Sequence, residues 1–319
     1  MNEVELLARL IPTLATNDSV VAGAGDDCAV LDLGLPNEFI LFKTDAIVEG
    51  VHFTQEADAE KIGHKALARC LSDVAAMAGT PTHALITLAL PQEFDVSFVE
   101  GIYRGLNALA ARHEVAVVGG ETTANLNCVL ISVAVLGTVA KGKCLLRSGA
   151  QAGDAVFVTG TLGGSLQEKH LEFEPRLIEA RWLAEHCGVH AMMDLSDGLA
   201  TDLRHLLKAS QVGAELLASA IPISRAARLA WKLNGQQLSR SAGRTPKPPL
   251  LAALTDGEDF ELLFTVESRE AVPLLDAWKK RFPELGLNCI GKITSTPGLF
   301  IKDKDGLRPL TEQGYVHFS

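Results

Sequence analysis

The sequence predicts an α/β protein with α+β layering that folds as two domains. Its 319 residues amount to about two domains, because domains typically contain ~100–200 residues. Hydrophobic residues make up 47% of the chain and charged residues 21%, which is ordinary for a soluble globular protein. Apolar runs typical of strands alternate in both halves with stretches whose apolar residues recur at helical spacing.

The first half is predicted to begin with a helix over residues 2–14, capped by Asn2. A second helix is expected over residues 58–78, where apolar residues recur at helical spacing and Gly79 ends the run. The remaining pattern predicts a helix at 95–112 and strands at 28–33, 39–42, 83–90, 115–118 and 128–140, with one more short strand after the turn at 141–143.

A polar, glycine-rich stretch at 148–154 marks the expected boundary between domains 1–150 and 151–319. Residues 234–249 are polar, basic and proline-containing, which indicates a surface loop. The pattern of the second half predicts strands at 155–159, 213–217, 261–266, 288–293 and 298–302 and helices at 174–187, 199–210 and 268–281.

The charge balance and the cysteines exclude several classes of protein. The chain has 29 basic and 39 acidic residues, a net charge of −10, which disfavours nucleic-acid binding. Its apolar run at residues 128–140 has 13 residues and is shorter than the ~18 that spanning a membrane requires. The acidic start lacks a signal-peptide pattern and the six cysteines are scattered, so we expect a cytoplasmic protein with reduced thiols.

Carboxylates placed beside glycines and at predicted strand ends are the strongest chemical signal. Loops at the ends of strands are where α/β proteins bind their ligands. The carboxylates in such positions are Asp26, Asp27, Asp45, Glu121, Asp194 and Asp197. Asp73 instead lies on or beside the apolar stripe of the second helix, where a charge is costly unless it is paired with Arg69 or another cation, or bound to a metal ion.

Several carboxylates without a cysteine or histidine cluster favour a hard cation such as Mg²⁺ over zinc. Magnesium commonly acts beside substrate phosphates, which indicates phosphoryl transfer. Arg147 follows a predicted short strand and is either a phosphate ligand or an exposed hairpin arginine. The stretch 137–144 approaches a phosphate-binding P-loop, but Cys144 replaces the required Ser or Thr and no helix follows, so we interpret it as a turn.

A series of motifs, in order along nearly the whole chain, resembles those of the thiamine-monophosphate kinase family. That family is related to aminoimidazole-ribonucleotide synthetase and selenophosphate synthetase. The motifs occupy residues 23–30, 43–53, 65–79, 118–122, 145–150, 194–199 and 257–262, followed by the Gly314-Tyr315 tail.

The resemblance implies transfer of the γ-phosphate of ATP to thiamine monophosphate, directly and in line, with several Mg²⁺ ions and no phosphoenzyme. It also implies a homodimer in which the N-terminal domains, which bind ATP and magnesium, pair their sheets into a barrel. The C-terminal domain, a mixed sheet with helices, would complete the nucleotide and substrate site.

Site residues follow from the same resemblance by motif. The magnesium ligands would be Asp27, Thr44, Asp45, Asp73, Glu121, Asp194 and Asp197. Contacts to ATP would come from Gly120, Glu121, Arg147 and Ser196. Contacts to thiamine monophosphate would come from His52, Glu258 and Tyr315; by position alone, His52 is more typical of a structural histidine than of a ligand.

The chain departs from the family pattern at four places. Lys43 stands where a serine commonly helps to hold a magnesium ion; since an ammonium cannot ligate a cation, that ion is either lost or held by backbone oxygen. Glu121 replaces an aspartate, Asp256 replaces a glycine, and the stretch between Gly164 and Pro175 is shorter than in many relatives.

Two other functions fit these residues. One is a sister ATP-dependent synthetase that activates an amide or a selenide, although the first cysteine, Cys28, lies inside the Asp-Asp motif. The other is a non-catalytic protein that binds nucleotide or thiamine phosphate, which Lys43 and Asp256 would allow.

Overall fold

A computed structural model describes residues 3–234 and 247–315. The chain divides into two compact units. We call Asn17–Cys144 with Leu171–Arg181 the N-terminal unit, and Met1–Thr16, Leu145–His170 and Trp182–Ser319 the C-terminal unit. Among the residues described, no helix combines the length and the apolarity needed to cross a bilayer.

The N-terminal unit is a six-stranded mixed sheet with two long helices. Its strands are β1 (Val20–Ala22), β2 (Ala29–Leu31), β3 (Glu38–Val48), β4 (Thr80–Leu90), β5 (Ala116–Ala124) and β6 (Leu130–Ala140), arranged as β1-β2-β3-β6-β4-β5. Strands β4 and β5 are parallel, and the other neighbours are antiparallel. The helices, numbered after α1 (Glu3–Leu10) of the other unit, are α2 (Ala59–Ala76) and α3 (Val96–Arg112).

Helix α2 forms the buried centre of this unit. Asp58 caps its first turn by accepting hydrogen bonds from the backbone amides of Glu60 and Lys61, at 2.8 and 3.2 Å. The helix packs against α3 and against β3, β6 and β4, and nearly all of its side chains from Ile62 onwards are buried. Beyond its first turn, Arg69 and Asp73 of this helix therefore pair with side chains of the sheet rather than lying in solvent.

The C-terminal unit is a seven-stranded mixed sheet. Its strands are β7 (Asp154–Thr159), β8 (Val189–Asp194), β9 (Gly213–Leu217), β10 (Leu262–Glu267), β11 (Leu287–Thr294), β12 (Gly298–Asp303) and β13 (Gly306–Pro309), in the order β13-β12-β9-β11-β7-β10-β8. Only β9 and β12 pair in parallel among these described strands. The remaining helices of the chain are α4 (Leu177–His186), α5 (Leu199–Ser210), α6 (Arg225–Asn234), α7 (Pro249–Thr255) and α8 (Ala271–Arg281).

One face of this second sheet packs on α5. Leu203 and Leu206 of the helix join Val156, Met193 and Leu216 of three strands in a single buried cluster. Full burial of a leucine side chain stabilises a fold by about 1.5–3 kcal/mol, so this cluster fixes the end of β8 against the start of α5. Strand β8 ends at Asp194, and the loop that follows it carries Ser196 and Asp197.

Several sequence predictions need correction. Strand β3 continues six residues past Phe42, to Val48, so Asp45 lies inside a strand and not at its end. Strand β5 likewise contains residues 119–121. Residues 144–147 form no strand, so Arg147 follows an irregular segment. Strands β1, β8 and β13 and helices α6 and α7 were not predicted.

Two predictions fall partly outside the residues that the structure describes. The first is the helix at residues 2–14, whose predicted capping residue, Asn2, is not described. The helix itself is present as α1, followed by a short 3₁₀ turn at Ile11–Thr13. The other is the surface loop at 234–249, of which residues 235–246 are not described.

Candidate active site

Two crossed ion pairs join β3 to α2 in the N-terminal unit. Lys43 Nζ lies 2.9 Å from Asp73 Oδ1, and Arg69 Nε lies 2.8 Å from Asp45 Oδ2. Lys43 and Asp45 share one face of β3 because side chains alternate along a strand, and Arg69 and Asp73 share one face of α2 because they are four residues apart. Asp73 is thus paired with a cation, Lys43, which was one of the alternatives that the sequence left open, and Arg69 binds Asp45.

Asp27 lies beside Asp73 in the same unit. Carboxylate oxygens of the two residues are within 4.8 Å of each other, and both residues are buried. Two buried carboxylates at this separation repel each other unless a cation neutralises them. Their oxygens are the ligand type that Mg²⁺ prefers, so this pair fits a magnesium site.

Two buried thiols border this acidic group. Burial, together with the negative charge of Asp73, raises the pKa of the Cys28 thiol. Burial and the charges of Asp45 and Asp73 do the same to Cys70. Both thiols are therefore weaker acids than an ordinary cysteine, which disfavours the thiolate form that a nucleophile needs.

Two other predicted site residues of this unit, Thr44 and His52, make contacts away from the two ion pairs. Thr44 faces away from Asp45, with its hydroxyl donating to the Val133 carbonyl at 3.2 Å, so the structure does not bring these two side chains together. His52 accepts a hydrogen bond on Nδ1 from the Val48 amide at 3.1 Å, and its carbonyl accepts one from the buried Lys65 at 2.9 Å. Because Nδ1 accepts this bond, the other ring nitrogen, Nε2, carries a hydrogen.

Gly120 and Glu121 lie on β5, the edge strand of the sheet. Glu121 is exposed. Gly120 has φ +154°, and a Cβ atom added there would lie 1.8 Å from the Ile86 carbonyl oxygen of β4. Position 120 therefore requires glycine because β4 leaves no room for a Cβ atom, and this holds whether or not Gly120 also contacts a ligand.

Changing Gly120 to alanine is expected to destabilise the protein by about 1–3 kcal/mol, because β5 must move away from β4. Urea unfolding would measure the loss. Gly142→Ala is a matched control, since its φ of +84° is also positive but an added Cβ meets nothing within 4 Å. Equal losses in both variants would show that backbone strain, and not the contact with Ile86, is responsible.

Three aspartates gather where β8 leads into α5 in the C-terminal unit. Asp194 is the last residue of β8 and is buried, and Asp197 follows in the loop. Asp202, which the sequence analysis did not single out, accepts hydrogen bonds on Oδ2 from the amides of Asp197 and Gly198 at 3.1 and 3.0 Å. Burial, and next the charges of Asp197 and Asp194, raise the pKa of Asp202. Such mutual repulsion favours a bound cation.

Arg147 contributes positive charge near this group. Its charge lowers the pKa of Asp202, against the larger opposing effects of burial and the neighbouring aspartates. The Arg147 carbonyl accepts a hydrogen bond from the Ser210 hydroxyl at 3.0 Å, which ties the segment to the end of α5. The Arg147 backbone is thus anchored to α5 by this hydrogen bond, and its guanidinium charge acts on the acidic loop.

The backbone around Ser196 and Asp197 brings two more predicted residues to this loop. The Glu258 amide donates to the Ser196 carbonyl at 2.7 Å, and the Tyr315 amide donates to the Asp197 carbonyl at 2.9 Å. Glu258 and Phe260 have φ of +59° and +49°, backbone conformations that are costly for residues other than glycine. The structure therefore brings Asp194, Ser196, Asp197, Glu258 and Tyr315 together in one unit.

The other acidic residues of the turn at 256–261 have structural partners. Asp259 is buried and accepts hydrogen bonds from the Gly163 amide and the Ser165 hydroxyl. Asp256 Oδ2 accepts one from the Gly164 amide at 3.0 Å, so the residue that departs from the family pattern supports the glycine loop. Glu261 is buried against Lys169, 2.8 Å away.

Comparison with known proteins assigns the chain to a family. The AIR synthase related protein models match it, the N-terminal domain at residues 25–139 and the C-terminal domain at 148–304. The thiamine-monophosphate kinase of Rhodopirellula baltica is 39% identical over 306 residues, which cover 93% of this chain and 92% of that protein. The chain belongs to the thiamine-monophosphate kinase family. The family resemblance of its motifs is thereby confirmed, as is the α/β class with two domains that are each a mixed sheet with helices.

Two further relatives of this family span almost the whole chain. The thiamine-monophosphate kinase of Escherichia coli strain K12 is 33% identical over 343 residues, covering 99% of this chain and 98% of that protein. The solved structure of AaThiL complexed with AMPPCP and TMP is 31% identical, with a TM-score of 0.80 and coverage of 99% and 97% of the two chains. The individual site residues carried over from the family stay predictions.

Proposed function

We infer that this protein transfers the γ-phosphoryl group of ATP to thiamine monophosphate and so forms thiamine diphosphate. The observation that carries this conclusion is 39% identity to a thiamine-monophosphate kinase over 93% of the chain. The solved relative that was complexed with AMPPCP and TMP supports ATP and thiamine monophosphate as the two substrates. The thiols at Cys28 and Cys70, neutral because burial raises their pKa, argue against a selenide-activating synthetase that would use a reactive cysteine.

Magnesium fits the carboxylates of both units. In the N-terminal unit Asp27 and Asp73 would hold it, and in the C-terminal unit Asp194, Asp197 and the newly identified Asp202 would do so. Bound Mg²⁺ neutralises the developing charge on phosphate oxygens during transfer. The chain's own part is to hold these carboxylates in place, with Asp202 fixed by two backbone amides. The role of Glu121 and Thr44 as additional ligands is proposed from the family motif alone.

The nucleotide and the acceptor would be contacted by loops and strand ends. We assign residues 1–150 to ATP and magnesium binding and 151–319 to completing the nucleotide and substrate site. Gly120, Glu121, Arg147 and Ser196 are proposed to contact ATP, and His52, Glu258 and Tyr315 to contact thiamine monophosphate. Arg147 supplies positive charge that a phosphate requires in a chain of net charge −10. The acceptor phosphate is ionised near neutral pH, so no protein base is needed.

The experiment is an assay of thiamine diphosphate. Purified protein is incubated with ATP, MgCl₂ and thiamine monophosphate, and the products are separated by chromatography. We expect one ADP for each thiamine diphosphate. ATP consumption that does not depend on thiamine monophosphate would favour a sister synthetase, and binding of both substrates without turnover would favour a non-catalytic sensor.

We also propose that two copies pair through the open face of the N-terminal sheet. Helices α2 and α3 belong to one face, whereas on the other Phe42, Leu85 and Leu136 lie on three adjacent strands and are 41–48% exposed. Phe42 and Leu136 are direct partners in the β3–β6 register. A contiguous exposed apolar surface of this kind marks a protein interface.

Changing Leu136 to lysine is expected to convert the dimer to a monomer at micromolar concentration, because a charge would be buried in the pairing face. Light scattering after size exclusion measures the mass. Leu126→Lys, in a loop residue that is 90% exposed, serves as the control. A wild type that is monomeric, or an L136K variant that stays dimeric, would contradict the pairing.

A further inference from the structure

Lys43 places a positive charge inside a group of carboxylates. Its side chain is 22% exposed and its ammonium lies 2.9 Å from Asp73 Oδ1. The backbone of β3 brings Asp45 to the same face two residues later. Lys43 and Asp73 therefore form a partly buried ion pair, with the carboxylate of Asp45 on the same strand face.

Asp45 has both of its oxygens in use. Oδ1 accepts a hydrogen bond from the Ala46 amide at 3.0 Å, and Oδ2 accepts one from Arg69 Nε at 2.8 Å. A magnesium ion at Asp45 would have to displace, or lie against, the guanidinium of Arg69. The repulsion between two cations at this distance disfavours that arrangement.

Charge counting indicates what Lys43 replaces. Within the N-terminal unit, Asp27, Asp45 and Asp73 carry −3 and their neighbours Lys43 and Arg69 carry +2, which leaves −1 for these five side chains. Without the lysine the same group would carry −2, the charge that one divalent cation neutralises. An ammonium at position 43 thus supplies part of the neutralisation that a metal ion would otherwise supply.

We propose that the ammonium of Lys43 takes the place of one divalent cation between β3 and α2, so that Asp45 and Asp73 hold an internal cation and this chain binds one metal ion fewer than it would with a hydroxyl at position 43. A divalent ion held by Asp27 and Asp73 would use the Asp73 oxygen other than Oδ1, because Oδ1 lies 2.9 Å from the ammonium of Lys43. The proposal deepens the proposed function, on which it rests for the role of magnesium.

Metal binding without substrates tests this directly. Free Mn²⁺ is titrated by electron paramagnetic resonance against wild type, Lys43→Ser and Lys43→Arg. We expect the serine variant to bind one more ion per chain than wild type, and the arginine variant to match wild type because it keeps the charge. Lys141→Ser is the matched control, since Lys141 makes an ion pair of 2.8 Å with Asp32 at the surface of the same unit. An unchanged count in K43S would overturn the proposal.

Thermal stability gives a second readout that does not depend on counting ions. In EDTA the serine variant should melt below wild type, because Asp45, Asp73 and Asp27 lose a neutralising charge. Adding Mg²⁺ should restore much of that loss in K43S and should not do so in K141S. A serine variant that fails to fold in both EDTA and Mg²⁺ would overturn the proposal, because the ion would then be unable to replace the ammonium.

The two hypotheses fail separately. Wild type that forms no thiamine diphosphate would defeat the proposed function and leave the difference in bound Mn²⁺ between K43S and wild type unaffected. A K43S variant with the wild-type number of ions would defeat the role of Lys43 and leave wild-type turnover unaffected.

Discussion

Changing Asp194 to asparagine is expected to reduce thiamine diphosphate formation by at least about 100-fold. Removal of one group that stabilises transition-state charge typically costs ~10²–10³ in rate. Asp194 ends β8, is buried at 3% exposure and shares its loop with Asp197, so its charge lies in a site of low dielectric. Steady-state rates of wild type and variant measure the effect.

The fold of the D194N variant should be intact. Asparagine keeps the shape of aspartate, and losing one of the charges that raise the pKa of Asp202 relieves repulsion. Asp276→Asn on the exposed surface of α8 in the same unit is the control and should keep the wild-type rate. A D194N variant with a rate near wild type would remove Asp194 from the site.

Stability of the protein should fall as the pH rises through 7, because of Asp259. Burial, opposed by Lys169, Ser165 and the Gly163 amide, raises the pKa of this carboxyl from 3.8 to about 7. The folded state therefore holds a proton that the unfolded state has lost between about pH 4 and pH 7. The contribution is fully present below pH 3.8 and is lost as the pH rises through about 7. At ~1.4 kcal/mol per pKa unit, the total is on the order of 4 kcal/mol.

Chemical unfolding of wild type and Asp259→Asn at pH 5 and pH 8 tests this. Asparagine has no proton to lose, so the free energy of unfolding of wild type should decrease more between these two values than that of the variant. Other carboxylates titrate in both proteins and cancel in the comparison. Identical pH dependence in the two proteins would contradict a raised pKa for Asp259.

The sequence was most informative where apolar periodicity and turn residues agree. Helix α5 at 199–210 and strand β9 at 213–217 were predicted to the residue, because Gly198 precedes a regular run of leucines and Gly213 begins an apolar strand. In contrast, the polar run Lys43-Thr44-Asp45 suggested the end of β3. Lys43 is neutralised by Asp73, 30 residues away, and Asp45 by Arg69, 24 residues away. A local sequence pattern cannot predict pairs between residues so far apart along the chain.

Site residues were missed for a similar reason. Asp202 lies in the first turn of α5, where an acidic residue is ordinary because it complements the helix dipole. Its two hydrogen bonds to the amides of Asp197 and Gly198 become visible only in three dimensions. Asp259 lies inside a motif that was noted for Glu258, and its partners Gly163 and Ser165 lie 96 and 94 residues away.

The central claim is that carboxylates from separate parts of the chain hold divalent cations for the triphosphate of ATP. Anomalous diffraction from crystals grown with Mn²⁺, AMPPCP and thiamine monophosphate locates such ions directly. We predict manganese peaks within coordination distance of Asp27 and of Asp194 or Asp197, and none between Lys43 and Asp45. Crystals that contain the nucleotide but show no manganese at any of these carboxylates would contradict the account.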